Sequence, residues 1–284
     1  MANYWGTYGV YIDAPGMSGV DPAQSGLLQN CNLIAAMASC AWTGKGAWFK
    51  SVASDEALQS SYPFTMYDFN QTIPQFTTTP EILLSSQTGT PVYARSTTSG
   101  ESWPGIVEKA YYKSREWLLS GTWTDKPNLE KFNDVSINPT SNPSAVLYHL
   151  FGKEVTTNTI NTTGDAIFSA LDQLCIGRIP LRKIIYPAVA CTFTNAASPI
   201  TAGHTYSILG LAGTKTASGA WATKYIVLRD PKNVTTDPVF SGTGDVLTSG
   251  TWVNAINFAN RDGIFALRAD LFPTYFEKYA YVVC

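Results

Sequence analysis

The hydrophobic pattern of this chain changes once, after Pro180. Before that residue, apolar side chains recur at three- and four-residue spacing, which predicts helices over 30–42, 103–119, 145–151 and 163–176. After it, they follow a two-residue period or form short runs, which predicts strands over 184–194, 204–211, 221–229, 264–267 and 279–283. Helices that precede strands, rather than alternating with them, favour an α+β fold over βαβ units.

Two stretches carry a weaker signal. The Thr-, Ser- and Pro-rich segment 77–102 is predicted to be a loop with one short apolar run at 82–84. Residues 269–278, between the last two strands, are predicted to be helical or turn-like. No internal repeat divides the chain, so these elements belong to one domain or to two closely packed halves.

Composition excludes several classes of partner. The chain has 284 residues, of which 45% are hydrophobic and only 14% are charged, so it is long and apolar enough for a large core. The net charge is −2 and there is no basic run, so neither nucleic acid nor an anionic membrane is an expected partner. The longest apolar stretch, 184–193, is interrupted by Pro187 and is too short to cross a bilayer. We expect a monomer.

Features of the sequence point to two different cellular compartments. The five cysteines are odd in number and irregular in spacing, which does not favour a disulfide framework. The absence of a CxxC pair, and the presence of only two histidines, argue against a structural zinc site. Residues 1–20 lack a secretory signal, which favours the cytoplasm, whereas the Thr-, Ser- and Asn-rich composition is typical of a secreted protein.

Cys31 is the cysteine whose position indicates chemistry. It begins the apolar, Ala-rich first helix, for which Asn30 is the expected N-cap, and the positive end of the helix dipole favours a thiolate there. Acyl transfer also needs oxyanion donors, and the Cys31 N–H with the amide of Gln24 or Gln29 is a candidate set. The alternative is a buried cysteine at a helix start. Buried, small apolar roles are expected for Cys40, Cys175 and Cys191.

A Cys–His enzyme built on this chain must use His149 or His204 as its base. His204 follows Gly203, which would allow close backbone approach, and shares one strand face with Tyr206. Its alternative role is that of a half-buried strand histidine. His149 lies inside an apolar helix without polar neighbours in the sequence, and we interpret it as structural.

A carboxylate or an amide is needed to orient the imidazole. Asp230 ends a predicted strand directly before Pro231, where it can hold the tautomer of His204 and favour its cation. The alternative is a simple Asp-Pro turn. Asn233, three residues further on, is a rival for the same role.

Charged side chains on the second helix are predicted to form a solvated face. The apolar stripe of this helix would be buried, and the charged residues would mostly face water: Glu108, Lys109, Lys113, Arg115 and Glu116.

Four separated segments resemble those of one family. In chain order they are Asn30-Cys-Asn-Leu-Ile-Ala-Ala-Met-Ala-Ser39, Trp103-Pro-Gly-Ile-Val-Glu-Lys-Ala-Tyr-Tyr-Lys113, Gly203-His-Thr-Tyr-Ser-Ile-Leu-Gly210 and Leu228-Arg-Asp-Pro231. They resemble the protease core of the calpains, within the papain-like cysteine peptidases. The second segment is the most specific, being close to the calpain pattern Trp-Pro-x-x-x-Glu-Lys-Ala-Tyr-x-Lys. A weaker fifth match combines 262–265 with 270–272.

Several positions depart from the family pattern. Asn32 replaces the Trp that usually follows the nucleophile, and Asp230 replaces the usual Asn of the triad. Lys232 replaces the Trp that normally shields the pair. The oxyanion glutamine would occupy the position of Ser25, whereas Gln24 lies one residue earlier.

The resemblance implies a papain-like two-lobed fold, with a helical lobe over 1–154, an antiparallel β-rich lobe over 155–284 and the site in the cleft between them. It implies a cysteine endopeptidase acting on protein or peptide substrates through Cys31, His204 and Asp230, with Gln24 at the oxyanion. No cofactor is required by the sequence; calcium is possible from the resemblance, although no EF-hand-type loop is present. The alternatives are a papain-fold protein that binds without hydrolysing and a Cys-dependent acyl transferase.

Overall fold

The computed structural model of the protein describes residues 2–10, 22–25, 27–45, 58–97, 100–133, 142–232, 243–247, 249–259 and 263–284. The α-helices in these ranges are α1 (Cys31–Thr43), α2 (Trp103–Ser120), α3 (Pro143–Phe151), α4 (Gly164–Asp172) and α5 (Phe272–Tyr275). Short 3₁₀ turns cover Leu129–Asn133, Val253–Ala255 and Ala269–Leu271. No helix within the described ranges combines the length and apolarity needed to cross a bilayer.

The strands fall into short pairs and one large sheet. Those of the first half are β1 (Tyr4–Gly6), β2 (Pro22–Ala23), β3 (Tyr62–Phe64), β4 (Phe76–Thr78), β5 (Ile82–Leu84) and β6 (Arg95–Ser96). Those of the second half are β7 (Val155–Thr159), β8 (Cys175–Arg178), β9 (Leu181–Ile184), β10 (Ala188–Thr192), β11 (Thr205–Lys215), β12 (Trp221–Arg229), β13 (Val246–Leu247), β14 (Ile264–Arg268) and β15 (Phe276–Val282).

All nine strands that the structure describes after residue 154 join one antiparallel sheet. Its order is β13-β14-β12-β11-β10-β15-β7, with β9 paired to the later part of β11 and β8 paired to β9. Because helices dominate before residue 155 and this sheet dominates after it, the fold is α+β, as the change of period predicts.

Gly210 allows β11 to pair with two strands, β10 and β9, along the same edge. Its first residues pair with β10 and its later ones, from Gly210 to Ala212, pair with β9. The register against β12 shifts between Ile208 and Gly210, where φ is 153°. A Cβ at Gly210 would lie 2.2 Å from the carbonyl oxygen of Arg182, so β9 can approach only a glycine there.

Element boundaries follow local chemistry. The first two helices end where Gly44 and Gly121 adopt left-handed conformations, with φ of 65° and 69°. Helix α4 ends at Asp172, earlier than the predicted 176, because Cys175 already belongs to β8. The predicted loop 77–102 is wrong in part, since it contains β5 and β6 as well as the end of β4.

Two hydrophobic clusters form the core. One gathers side chains of α1, α2 and α3, including Met37 and Ile106, together with Val189 of the sheet. The other lies between α4 and the sheet and includes Phe168 and Ile208. Helix α1 contributes to both clusters because Trp42, near its end, packs in the second one. The domain boundary at 154/155 stays a prediction.

The prediction of a solvated charged face on α2 is wrong. Four of its charged side chains are buried, with exposed fractions between 0% and 6%: Glu108, Lys109, Lys113 and Arg115. Only Glu116, of the five, is partly exposed. Burial is possible because polar partners from loops surround the helix, and a paired charge costs far less to bury than an isolated one.

The buried lysines share one carboxylate. Lys113 Nζ lies 2.7 Å from Asp125 Oδ1 and Lys109 Nζ lies 3.4 Å from Asp125 Oδ2. Lys109 also donates to the carbonyl oxygens of Thr79 and Glu81, at 2.7 and 2.6 Å. The two ammonium groups therefore join α2 to the loop that follows it, at Asp125, and to the loop between β4 and β5.

His149 has no polar neighbours along its own helix, but side chains distant in the sequence supply polar partners. Its Nδ1 lies 2.8 Å from the Tyr111 hydroxyl and its Nε2 lies 3.1 Å from Arg115 Nη1. Burial and the positive charge of Arg115 lower the pKa of His149 to about 3, although Asp68 acts in the opposite direction. These partners belong to α2 and to the loop at Asp68, so α3 is fixed to α2 through a neutral imidazole.

Candidate active site

Cys31 occupies the first position of α1, and its thiol is buried, with 8% of the residue exposed. No acidic residue lies in the first turn, so nothing there neutralises the positive end of the dipole. Asn30 is the N-cap residue of this helix, as expected, but its side chain forms no capping hydrogen bond. Its amide Nδ2 donates instead to Glu108 Oε1 of α2 at 2.5 Å.

Three side-chain hydrogen bonds fasten α1 along β11. The Thr205 hydroxyl donates to Asn32 Oδ1. Ser207 Oγ donates to the Ala35 carbonyl oxygen at 2.7 Å, and Trp42 Nε1 donates to that of Leu209, also at 2.7 Å. Because Asn32 follows Cys31 and Thr205 follows His204, this register brings the thiol next to the imidazole.

His204 contacts both other members of the predicted triad. Its Nε2 lies 2.9 Å from Asp230 Oδ1, and hydrogen bonding between the ring and the Cys31 thiol contributes to the pKa of both groups. The rings of His204 and Tyr206 pack edge to face, with their centroids 5.1 Å apart. Its backbone N–H donates to Thr192 Oγ1 at 2.8 Å, so the residue is held from both sides.

The turn that carries Asp230 is equally fixed. The backbone N–H of Asp230 donates to the Gly263 carbonyl oxygen at 2.8 Å, and the N–H of Lys232 donates to Asp230 Oδ1, also at 2.8 Å. Asn233 lies outside the described residues. Gly203 has a φ of 59° and open space where a Cβ would be, so its role is left-handed backbone and not the close approach that was expected.

Electrostatics favour a charged pair. Burial raises the pKa of Cys31, but the hydrogen bond and charge of His204, with the N–H groups of Thr205 and Asn32, outweigh it and leave that pKa below the value of an ordinary thiol. Burial lowers the pKa of His204, but hydrogen bonds to Asp230 and Cys31 outweigh it and raise the pKa to about 9. The arrangement therefore stabilises thiolate and imidazolium together.

Asp230 supports this pair as an anion. Burial raises its pKa, but the hydrogen bond and charge of His204 and the Lys232 N–H outweigh it, so the pKa lies below the usual range. An ionised carboxylate orients the imidazole and stabilises its positive charge.

Gln24 lies beside the triad turn. Its backbone N–H donates to the Pro231 carbonyl oxygen at 2.7 Å, and only 7% of the residue is exposed. Its Nε2 donates one hydrogen to the Leu28 carbonyl oxygen, which leaves the second hydrogen of that amide. Gln29, the other candidate, is exposed. The oxyanion role of Gln24 stays a prediction.

Three other cysteines are poor nucleophiles. Burial raises the pKa of Cys175 and Cys191 to about 12, and it raises the pKa of Cys40 well above the ordinary value. Cys191 Sγ lies 2.9 Å from Thr205 Oγ1, next to the site. Cys284, at the end of β15, is partly exposed.

Sequence reasoning missed two contacts at the site. Asn30 pairs with Glu108 and Asn32 pairs with Thr205, across 78 and 173 residues of chain. A single sequence carries no signal for such pairs, because neither residue type nor local spacing identifies a partner so distant. In the described part of the chain, no group of three or more His, Cys, Asp or Glu side chains converges as a metal site would.

Comparison with known proteins adds one finding. No protein-family model matches the chain. A thiol protease of Porphyromonas gingivalis is 28% identical over 290 aligned residues, which cover 92% of this chain and 54% of that protein. The similarity supports a cysteine protease. The chain spans about half the length of this relative.

Proposed function

We propose that the chain is a calpain-like cysteine endopeptidase core with papain-like two-lobed architecture. The observation that carries the proposal is the grouping of Cys31, His204 and Asp230: His204 Nε2 lies 2.9 Å from Asp230 Oδ1, and hydrogen bonding and charge of His204 lower the pKa of Cys31. These residues come from a helix start, a strand start and a strand end that are far apart in sequence. The similarity to a thiol protease supports the same chemistry.

In the acylation step, the Cys31 thiolate attacks the carbonyl carbon of the scissile peptide bond. The carbonyl oxygen becomes an oxyanion, for which the Cys31 N–H and Gln24 Nε2 are the proposed donors. As the tetrahedral intermediate collapses, the C–N bond breaks and the leaving amine takes the proton of the His204 imidazolium. A thioester to Cys31 and a neutral imidazole remain.

Deacylation reverses these roles. Neutral His204 accepts a proton from water, and the resulting hydroxide equivalent attacks the thioester carbonyl. The carboxylic acid product leaves, and Cys31 returns as a thiolate beside imidazolium. Asp230 holds the ring throughout. If an amine replaced water in this step, the same residues would catalyse acyl transfer, so the assay must measure both products.

The first prediction concerns thiol reactivity, and it tests the proposal directly. A limiting amount of a peptide chloromethyl ketone at neutral pH should label Cys31 first, because its thiolate is the one stabilised by an imidazolium. Peptide mapping by mass spectrometry identifies the labelled residue. Cys284 is the most exposed of the five cysteines, so preferential labelling there would show that access rather than thiolate character controls the reaction.

Hydrolysis is measured in the same preparation. A peptide library or unfolded casein should be cleaved internally, and the activity should disappear in proportion to Cys31 labelling. Labelling of Cys31 without any cleavage would indicate a binding protein of the same fold. Formation of amide products with an added amine, and none with water, would indicate an acyl transferase.

The second prediction concerns pH. Activity should rise as Cys31 ionises and fall as pH passes the pKa of His204 near 9, because the leaving amine then lacks its proton donor. Asp230→Asn keeps the size of the side chain but removes its charge. The imidazolium is then less stable, so the fall in activity at high pH (the upper limb of the pH profile) should occur about one pH unit lower. The pH dependence of kcat/KM measures this shift.

Asp165→Asn is the matched control for that shift. Asp165 pairs with Lys224 at 2.8 Å, but its side chain is 75% exposed and lies on α4. The upper limb should stay in place in this variant. An unchanged upper limb in Asp230→Asn would show that Asp230 does not support the charge of His204.

A further inference from the structure

The contact between Thr205 and Asn32 joins the two residues that directly follow the proposed nucleophile and base. Both are buried, with 1% of Thr205 and 2% of Asn32 exposed. The Thr205 hydroxyl donates to Asn32 Oδ1, and Cys31 Sγ lies 3.9 Å from the same oxygen. On its other side, Thr205 Oγ1 lies 2.9 Å from Cys191 Sγ.

These contacts have a direction. The hydroxyl of Thr205 has one hydrogen, which it donates to Asn32, so toward Cys191 it can only accept. The Cys191 S–H is then the donor, and burial keeps Cys191 in the thiol form that has this hydrogen. The chain of donors runs from Cys191 through Thr205 and ends at Asn32 Oδ1.

That oxygen has two possible donors. Asn32 Oδ1 accepts from both, because an amide oxygen has two lone pairs: the Thr205 hydroxyl donates to it, and the Cys31 S–H group donates weakly, at 3.9 Å. A hydrogen bond from the S–H group stabilises the neutral thiol and therefore disfavours the thiolate. The Thr205 hydroxyl, as the closer donor, weakens that S–H bond while it holds the start of α1 against β11.

We infer that Thr205 is a positioning residue of the active site, whose hydroxyl donates to Asn32 Oδ1, holds Cys31 beside His204 and weakens the hydrogen bond from the Cys31 thiol to the same oxygen. The inference rests on the proposed function, since it assigns Thr205 a role in activating the same nucleophile. It also gives the Asn32 position, where the family pattern has Trp, a defined partner.

The third prediction tests this inference with an isosteric variant. Thr205→Val keeps the shape and removes the hydroxyl, so alkylation of Cys31 by iodoacetamide at pH 7 should slow about five-fold, the effect of one hydrogen bond. The pH at which alkylation reaches half its maximal rate, the alkylation midpoint, should rise by the amount that corresponds to this five-fold change. Peptide kcat should fall with little change in KM. Thr205→Ser, which keeps the hydroxyl, should restore the wild-type profile.

Ser207→Ala separates positioning of the thiol from general stability. Ser207 lies on the same strand and its hydroxyl fastens the same helix, but to the Ala35 carbonyl oxygen, one turn beyond Cys31. This variant should lower the melting temperature about as much as Thr205→Val and leave the alkylation midpoint unchanged. Equal shifts of the midpoint in both variants would overturn the inference.

A double-mutant cycle completes the test. In an Asn32→Ala background the competing oxygen is absent, so Thr205→Val should then cause no further shift of the alkylation midpoint. The same shift in both backgrounds would contradict the inference. If Thr205→Val does not fold, Thr205→Ala replaces it in the cycle. Failure of the proposed function can be told apart from failure of this inference. If the protein is not a protease, the wild type shows no hydrolysis, but the alkylation midpoints still test the role of Thr205.

Discussion

Replacing Cys31 by serine is expected to lower kcat/KM for peptide hydrolysis by about 10⁴-fold or more, as removal of a nucleophile does in other covalent hydrolases. A serine hydroxyl does not ionise beside His204 as the thiol does, so the charged pair is lost. The measurement compares initial rates on one peptide substrate at pH 7.5.

Two controls make that result specific. Cys284→Ser changes the most exposed cysteine and should leave kcat/KM within about two-fold of wild type, since surface substitutions are close to neutral. The melting temperature of Cys31→Ser should stay near that of wild type, because only one buried atom changes. Retained hydrolysis in a folded Cys31→Ser protein would exclude Cys31 as the nucleophile.

Asp125→Ala is expected to lower the free energy of unfolding by about 3 kcal/mol, because it leaves two buried ammonium groups without their carboxylate. Lys109 and Lys113 are almost fully buried and both contact Asp125. Burial lowers the pKa of Lys109 to about 8 although Asp125 acts to raise it, so without Asp125 its charge is harder to keep. Urea unfolding at pH 7 measures the loss.

The matched control is an exposed ion pair beside the same loop. Glu81 Oε1 lies 3.1 Å from Lys126 Nζ, with the two side chains 32% and 50% exposed. Glu81→Ala should cost less than about 1 kcal/mol, since exposed pairs contribute little. A loss in Asp125→Ala as small as that of Glu81→Ala would mean that the lysines are satisfied by backbone carbonyls alone.

The local pattern of the sequence predicted helices α1 to α4 and five adjacent strands of the large sheet: β14, β12, β11, β10 and β15. Strand β12 has the predicted bounds, and α2 begins at the predicted residue and ends one residue later, because each is long and strongly periodic. The strand pairs β1–β5, β2–β6 and β3–β4 were not predicted. Each has at most three residues per strand, which is too short for a period to be recognised.

The charged residues of α2 show where such reasoning stops. A run of Glu, Lys and Arg on one helix face usually indicates contact with water, and that rule failed here. The partners that make burial possible, such as Asp125 in a loop and the carbonyl oxygen of Thr77 in the three-residue strand β4, lie in segments without a recognisable local pattern. Tertiary contacts decided the environment of these residues, and residue type did not.

The residues of the candidate site could be proposed from the sequence, but their supporting contacts could not. Cys31 was chosen for its position at a helix start, His204 because the chain has only two histidines, and Asp230 for its position at a strand end. In the structure, Asp230 forms a hydrogen bond with His204, and His204 lowers the pKa of Cys31. Asn30, Asn32 and Thr205 were not recognised as supports. Their partners depend on how α1 lies across β11 and α2, which no single segment encodes.

Helix α1 packs against β11, a strand that is synthesised much later than the helix. This order has a consequence for biosynthesis. During translation, Cys31 leaves the ribosome long before His204 and Asp230 are made. Until β11 is paired between β10 and β12, nothing holds an imidazole against the thiol. On the proposed function, a nascent chain therefore has an unactivated cysteine, and the activated thiolate forms only after β11 has paired within the sheet.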